Sequence, residues 1–239
     1  MISKIKYKRV LLKLSGEALL GNNSHGIDEK IIAFLADEIK KVYLNKIQIS
    51  VVIGGGNIFR GTDAASVGIE RTTADYMGML GTVMNSLAMQ NSLERIDVES
   101  RVQSAITMTE ICESYSRRRA IRHMEKNRVV IFAAGTGNPY FTTDTAAALR
   151  ASEMSCDAIF KGTLVNGIYD KDPKKYDDAI KFDKISFHEV LTRNLRVIDS
   201  AAVSLAREND IPIVVFSINE ENSFVDIMEG KGNSSIVTS

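Results

Sequence analysis

Apolar residues in this chain alternate between two patterns. Short unbroken runs are separated by stretches in which apolar positions return every three or four residues. The first run, Val10-Leu11-Leu12-Lys13-Leu14, stops at Ser15-Gly16 and reads as a buried strand. Between 28 and 44, Ile31, Leu35, Ile39 and Val42 share a face, so a helix is predicted there with Asp28 as its N-cap. A second buried strand, 49–53, runs into Gly54-Gly55-Gly56. A long helix follows over 72–91, where Met77, Leu80, Met84 and Leu87 form a stripe that reads as core filler.

Beyond it the pattern predicts a strand near 98–104, a helix near 114–126 and a strand at 129–132. A Gly-rich loop, 135–143, opens a helix running to about 154, and the strand 158–160 ends at Lys161-Gly162. A polar loop over 169–183 leads to helices near 186–192 and 199–209, a strand at 213–216, a helix near 222–228 and an edge strand at the end. Strands that are continuous apolar runs and alternate with helices mean a largely parallel sheet covered on both sides. No linker, low-complexity stretch or internal repeat divides the chain, so 1–239 reads as a single domain.

Composition narrows the classes of function. The chain has 239 residues, 44% hydrophobic and 25% charged, which is a globular profile rather than a disordered, collagenous or coiled-coil one. Lys+Arg and Asp+Glu both total 30, without the basic excess of a chain that lives on nucleic acid. The local run Arg117-Arg118-Arg119 with Arg122, His123, Lys126 and Arg128 reads as a solvated helix face or an oligomer contact. Cys112 and Cys156 are too few for a disulfide framework and read as reduced thiols. The apolar start is broken at Lys13, and there is no long apolar run, so neither a signal peptide nor a membrane span is expected and the location is expected to be cytoplasmic.

The candidate chemistry lies just after the strands, where ligands of open parallel sheets bind. Four such segments are Lys13-Leu14-Ser15-Gly16, Gly54-Gly55-Gly56-Asn57, Gly135-Thr136-Gly137-Asn138 and Lys161-Gly162-Thr163. Glycine lets backbone N–H groups approach an anion, a following helix N-terminus adds partial positive charge, and lysine adds a full one. Such a rim suits several phosphates. Neither the Walker pattern nor G-x-G-x-x-G occurs, and His25, His123 and His188 are isolated residues expected at surfaces. Asp144 and Asp199 stand at predicted helix starts; each is either an N-cap or a carboxylate that orients a lysine.

Taken together, four stretches resemble the bacterial UMP kinases of the amino acid kinase superfamily: Tyr7-Lys8-Arg9-Val10-Leu11-Leu12-Lys13-Leu14-Ser15-Gly16-Glu17-Ala18-Leu19; Val51-Val52-Ile53-Gly54-Gly55-Gly56-Asn57-Ile58-Phe59-Arg60-Gly61; Asp75-Tyr76-Met77-Gly78-Met79-Leu80; and Gly135-Thr136-Gly137-Asn138-Pro139-Tyr140-Phe141-Thr142-Thr143-Asp144. The last is specific to that family, the others less so, and the resemblance runs from about residue 7 to 237. It implies a three-layer αβα sandwich with a mostly parallel central sheet. It implies transfer of the ATP γ-phosphoryl group to UMP, giving UDP in pyrimidine nucleotide biosynthesis, with Mg2+ carried on the ATP phosphates and no metal ligands from the protein. It also implies a homo-oligomer, a hexamer, with GTP as activator and UTP as inhibitor in many members.

Residue by residue, the resemblance implies that Lys13, Leu14, Ser15 and Gly16 lie along the ATP phosphates, and that Gly56 and Arg60 face the transferred group. Thr163, Asn166, Tyr169 and Asp172 would hold the adenosine part of ATP. Gly55 and Asp75 would contact UMP, Asp75 at the ribose, and Thr136, Gly137, Asn138, Pro139, Tyr140, Phe141, Thr142 and Thr143 would wrap it. Lys13, Arg60, Asp144, Lys161 and Asp199 make up the implied catalytic set. The chain departs from the family at Val165-Asn166-Gly167, where Val-Asp-Gly is usual, and its segment 21–26 falls where many members place a GTP-linked loop. Two other readings stand beside this one: a relative that phosphorylates a carboxylate or carbamate, and a nucleotide-binding regulator without turnover.

Overall fold

The computed structural model describes residues 5–59, 68–195 and 197–239, so Arg60 of the expected catalytic set lies outside the described residues. Its strands are β1 (Arg9–Leu14), β2 (Gln48–Ile53), β3 (Ser100–Ser104), β4 (Glu113–Ser114), β5 (Val129–Ala133), β6 (Ala158–Thr163), β7 (Ile168–Tyr169), β8 (Lys181–Phe182), β9 (Lys184–Ser186), β10 (Ile213–Ser217) and β11 (Ser234–Thr238). Its helices are α1 (Glu29–Tyr43), α2 (Arg71–Glu94), α3 (Arg117–Glu125), α4 (Thr143–Met154), α5 (Phe187–Thr192), α6 (Ser200–Glu208) and α7 (Ser223–Met228). Nine strands form one sheet in the order β4-β3-β5-β2-β1-β6-β10-β11-β9. Every neighbouring pair is parallel except β10 with β11.

Side-chain alternation along the strands builds two cores. On β1, Val10, Leu12 and Leu14 enter one core and Leu11 the other; on β6, Phe160 and Ile159 divide the same way. Helices α1, α2 and α7 cover the first face, and α3, α4, α5 and α6 the second. Burial on both faces is why the strands read as unbroken apolar runs. The fold is therefore the three-layer αβα sandwich expected. The chain passes from β1 to β2 on one side of the sheet and later crosses to β6 on the other, so β1 stands at the topological switch point.

Five expectations are corrected. The stripe Met77, Leu80, Met84 and Leu87 is core only at Leu87, which packs against the first core: Leu80 is 51% and Met84 53% exposed, and α2 is buried instead through Ala74, Met79, Val83, Met89 and Leu93. Helix α2 is apolar on both faces, so periodicity alone chose the wrong one. The helix expected from about 114 begins at Arg117, and Ser114 is instead strand with Glu113, because Gln103 and Ser104 of β3 are their register partners. The loop 169–183 carries the β7–β8 hairpin, in which Ile168 faces Phe182. The last strand is not the edge; β9 lies outside it, with Ile185 opposite Val237. His123 is not a free surface residue, since its Nε2 lies 3.2 Å from the Glu113 carboxylate and its side chain is largely covered.

Candidate active site

The C-terminal ends of β5, β2, β1 and β6 share one edge of the sheet. Lys13 and Lys161 are register partners there. Strand alternation turns both toward the face that holds Leu11 and Ile159, where α4 packs. Helix α4 begins with Thr142 as its N-cap, whose side chain accepts from the backbone N–H of Asp144 at 3.1 Å and of Thr145 at 3.4 Å. That start aims Asp144 between the two ammoniums: Lys13 Nζ lies 2.7 Å from Oδ1, and Lys161 Nζ donates to Oδ2 at 2.5 Å. Burial opposes a charge on Asp144, but Lys13 and Lys161 outweigh it and hold the carboxyl down at about 2. Burial pushes the Lys161 ammonium below the ordinary lysine value, with Lys13 adding to the push and Asp144 opposing it. The second acceptor for Lys161 is the Val197 carbonyl at 2.5 Å.

Asp199 has a different job from Asp144. It is the N-cap of α6, accepting from the Ala202 N–H at 2.8 Å. It also accepts from the hydroxyls of Thr142 and Thr145, so it joins the first turn of α4 to that of α6. A cavity of about 380 Å³ opens beside this junction, with Lys13, Thr143, Asp144 and Ser200 in its wall.

Packing explains most of the glycines. The turn after β2 is held to β1 by Gly54 N–H donating to the Leu14 carbonyl at 2.9 Å. A Cβ on Gly16 would lie 2.7 Å from both Gly54 O and Gly56 N, and one on Gly55 would strike the backbone of α2 at Gly78 and Thr82. Gly56 differs, because a Cβ there would meet nothing closer than 3.9 Å, so packing does not explain the third glycine. The turn is locked from below by a buried amide pair. Asn57 Nδ2 donates to Asn85 Oδ1 at 3.0 Å, and Asn85 Nδ2 donates to Asn57 Oδ1 and to Gly54 O, both at 2.7 Å.

The loop 135–143 lies after β5, on the other side of β1 from β6. Ala134, Gly135, Gly137 and Tyr140 take positive φ of 56 to 80°, which curls it tightly. Thr82 of α2 anchors its start by accepting from Ala134 N–H at 2.8 Å. Asp75 anchors its middle, accepting from Tyr140 N–H at 2.7 Å and from Arg71 Nε at 3.0 Å. Arg71 in turn lies over the Tyr140 ring, 5.3 Å from its centroid. Tyr140 and Phe141 remain exposed. Thr136 and Asn138 bond to each other across Gly137, with Asn138 N–H donating to Thr136 Oγ1 at 3.2 Å.

On the opposite side, beyond β6, Thr163 Oγ1 closes a turn by accepting from Val165 N–H at 3.0 Å. The Tyr169 hydroxyl donates to Asn166 Oδ1 at 2.5 Å, and Asp172 accepts from Lys174 N–H at 3.0 Å. Asn166, Tyr169 and Lys174 line a cavity of about 310 Å³ that also reaches Ser217 and Glu220. Thus Lys13, Lys161, Asp144 and the triple-glycine turn meet at the centre, Asp75 and 136–143 lie to one side, and Thr163 to Asp172 lie to the other. Thr82, Asn85 and Thr145 were not singled out from the sequence. The signal available was polar residues on the buried face of α2 and α4, a weak one without knowing which face is buried.

Comparison with known proteins places this arrangement. The model of the amino acid kinase family matches residues 8–217. The uridylate kinase of Paramagnetospirillum magneticum is 55% identical over 237 residues, covering 99% of each chain. The uridylate kinase of Wolbachia sp. subsp. Brugia malayi is 57% identical over 236 residues, covering 99% of this chain and 96% of its own. The crystal structure of UMP kinase from Bacillus anthracis superposes with a TM-score of 0.94 at 38% identity, covering 97% of this chain and 96% of that one.

Proposed function

The chain belongs to the amino acid kinase family, and on that premise we propose how its sheet-edge site transfers a phosphoryl group from ATP to UMP. The overall reaction is ATP plus UMP to ADP plus UDP. The observation that supports the central role of this edge is one buried carboxylate, Asp144, held between two buried ammoniums, Lys13 and Lys161. Asp144 stands between the two ammoniums and Asp199 acts on Lys161 from farther off, so two cations with set positions stand at this edge where water is scarce, which suits the charge gathered when two phosphates approach.

Phosphoryl transfer demands alignment and charge neutralisation more than covalent help. The acceptor atom of UMP is a phosphate oxygen already ionised near neutrality, so no strong base is required. Asp144 stays ionised and sets the two ammoniums; it does not take a proton. Lys13 follows the ATP phosphates with Leu14, Ser15, Gly16 and Gly56, while Lys161 neutralises from the adjacent strand. Asp199 keeps the start of α4, and with it Asp144, in place. Asp75, Gly55 and 136–143 hold UMP, and Thr163, Asn166, Tyr169 and Asp172 hold the adenosine end. Arg60 completes the catalytic set on the strength of the resemblance.

Magnesium enters as part of the MgATP substrate. Both Asp144 oxygens are engaged by lysines, and no group of three His, Cys, Asp or Glu side chains among the described residues is placed to hold a metal. The protein is a homo-oligomer, a hexamer. An exposed ladder of Tyr76, Leu80 and Met84 along α2 supports that reading, since such a stripe favours burial against another copy. GTP activation and UTP inhibition belong to the same reading. Its structural support is that segment 21–26 is tied to the triple-glycine turn, with Gly26 N–H donating to Asn57 O and Asn57 Nδ2 to Gly26 O, both at 2.8 Å. The location is the cytoplasm, and among the described residues no helix is long and apolar enough to cross a membrane.

The test is ADP release with MgATP and a panel of acceptors: UMP, CMP, aspartate, acetylglutamate and carbamate. Turnover with UMP alone is expected. Turnover with a carboxylate or carbamate, or nucleotide binding with no turnover, would replace this reading by one of its rivals.

A further inference from the structure

The register of the sheet carries a row of lateral neighbours outward from the paired lysines. Lys13 on β1 faces Lys161 on β6, Lys161 faces Val215 on β10, and Val215 faces Ser235 on β11. Directly paired residues project from the same face of a sheet, so Ser235 stands on the lysine side. It is fully buried. Its hydroxyl accepts from the Ile168 N–H at 2.7 Å and donates to the Phe182 carbonyl. Ile168 and Phe182 are register partners across the β7–β8 hairpin, so one hydroxyl grips both of its strands at a single rung.

Apolar packing also holds the hairpin root, since Ile168 is fully buried in the second core and Phe182 packs against it, but Ser235 is the buried polar group that bonds both strands at one rung. Lys181 reaches Asn233, the Ser234 carbonyl and Asp183 with a side chain close to the surface. A further inward tie is steric: a Cβ on Gly167 would strike Ser235 Oγ and lie 3.0 Å from Lys181 Cδ, so the chain enters β7 pressed against the serine. Asn166 and Tyr169 flank that point and hydrogen-bond to each other.

We propose that Ser235 is a positioning residue for the donor nucleotide. It sets the hairpin that holds the nucleoside end at a fixed distance from the lysines that hold the phosphate end. This rests on the reading that Thr163, Asn166, Tyr169 and Asp172 hold the adenosine of ATP. Ser235 touches no substrate. Its action is to lock the hairpin to the same row of the sheet as Lys13 and Lys161, so the two ends of one ATP molecule are referred to one rigid frame.

The experiment uses the full chain and two variants, Ser235→Ala and Gly167→Ala, which break the same contact from opposite sides. Each should raise the KM for ATP about tenfold, a scale that losing the buried hydroxyl's two hydrogen bonds reaches, and leave the KM for UMP within about twofold. Amide hydrogen exchange over 166–182 should quicken in both, and a non-hydrolysable ATP analogue without UMP should bind each more weakly by about the same factor. If Ser235→Ala fails to fold, Gly167→Ala carries the test alone. An unchanged ATP KM, or a UMP KM that rises in step with it, overturns the assignment. A parent protein that turns over UMP but whose hairpin gains no exchange protection from the analogue overturns the placement of the nucleoside, and the role of Ser235 with it.

Discussion

Lys13 and Lys161 stand side by side on β1 and β6, and one carboxylate, that of Asp144, serves both at 2.7 and 2.5 Å. Two ammoniums this close would repel each other strongly without it. Lys13→Ala therefore removes a charge that matters most when phosphates converge. Turnover should fall by about a hundredfold or more, the scale of one lost preorganised charge partner, while UMP binding changes little. Steady-state kcat beside UMP binding by calorimetry checks this; equal losses in both would make Lys13 a ground-state anchor.

Asp144 links the site to acid stability. Its folded value, about 2, lies below the ordinary 3.8. The contribution is thus complete above about pH 4 and is lost as pH falls through 2, and it is of order 2 kcal/mol. In Asp144→Asn this part of the acid dependence should vanish, and stability at pH 7 should fall because two buried ammoniums lose their counter-charge. Urea midpoints at pH 7 and pH 3 measure both effects; an unchanged difference between the two pH values would contradict the assignment.

Asp75 joins α2 to the loop 135–143 through Tyr140 N–H. Asp75→Asn keeps an acceptor oxygen for that N–H but removes the charge offered to Arg71 and, on the proposed placement of UMP, to the ribose. The KM for UMP should rise about tenfold and that for ATP should hold, as a lost charge-assisted hydrogen bond would require. Initial-rate kinetics with each substrate varied in turn will tell; a change confined to ATP would place Asp75 on the wrong substrate.

The Asn57–Asn85 pair supports the triple-glycine turn from beneath. Asn85→Leu takes from Asn57 Oδ1 and the Gly54 carbonyl the donor that Asn85 supplies, while Asn57 Nδ2 keeps the Gly26 carbonyl, so a loss of about 2–4 kcal/mol is expected. Chemical denaturation gives the figure. A loss under about 1 kcal/mol would show that the turn stands without the pair.

Tyr76, Leu80 and Met84 offer the oligomer test. Leu80→Glu puts a charge in the middle of the exposed stripe. If α2 is buried against another copy, the particle mass by light scattering should drop by at least one stage of assembly. An unchanged mass would move the contact elsewhere.

Much of this molecule could be read from the chain alone. Strands buried on both faces leave unbroken apolar runs, so the sandwich was legible in the chain, and glycine with lysine immediately after them marks the sheet edge where Lys13 and Lys161 stand together. Short pieces were not. Strands β4, β7, β8 and β9 are two or three residues long, too few to show a period, and they exist because a neighbouring strand offers its edge. The stripe on α2 misled for a related reason: a helix apolar on both faces does not say which face meets the sheet.

What the sequence by itself determined is local: which longer stretches are extended, which are helical, and which turns after strands are rich in glycine. Tertiary structure alone decided that Lys13 and Lys161, far apart along the chain, are register partners, that Asp144 rather than Asp199 answers their charge, and that Thr142 rather than Asp144 caps α4. Strand register is set by pairing across the whole sheet and by packing on both its faces, and no stretch of sequence contains that information on its own.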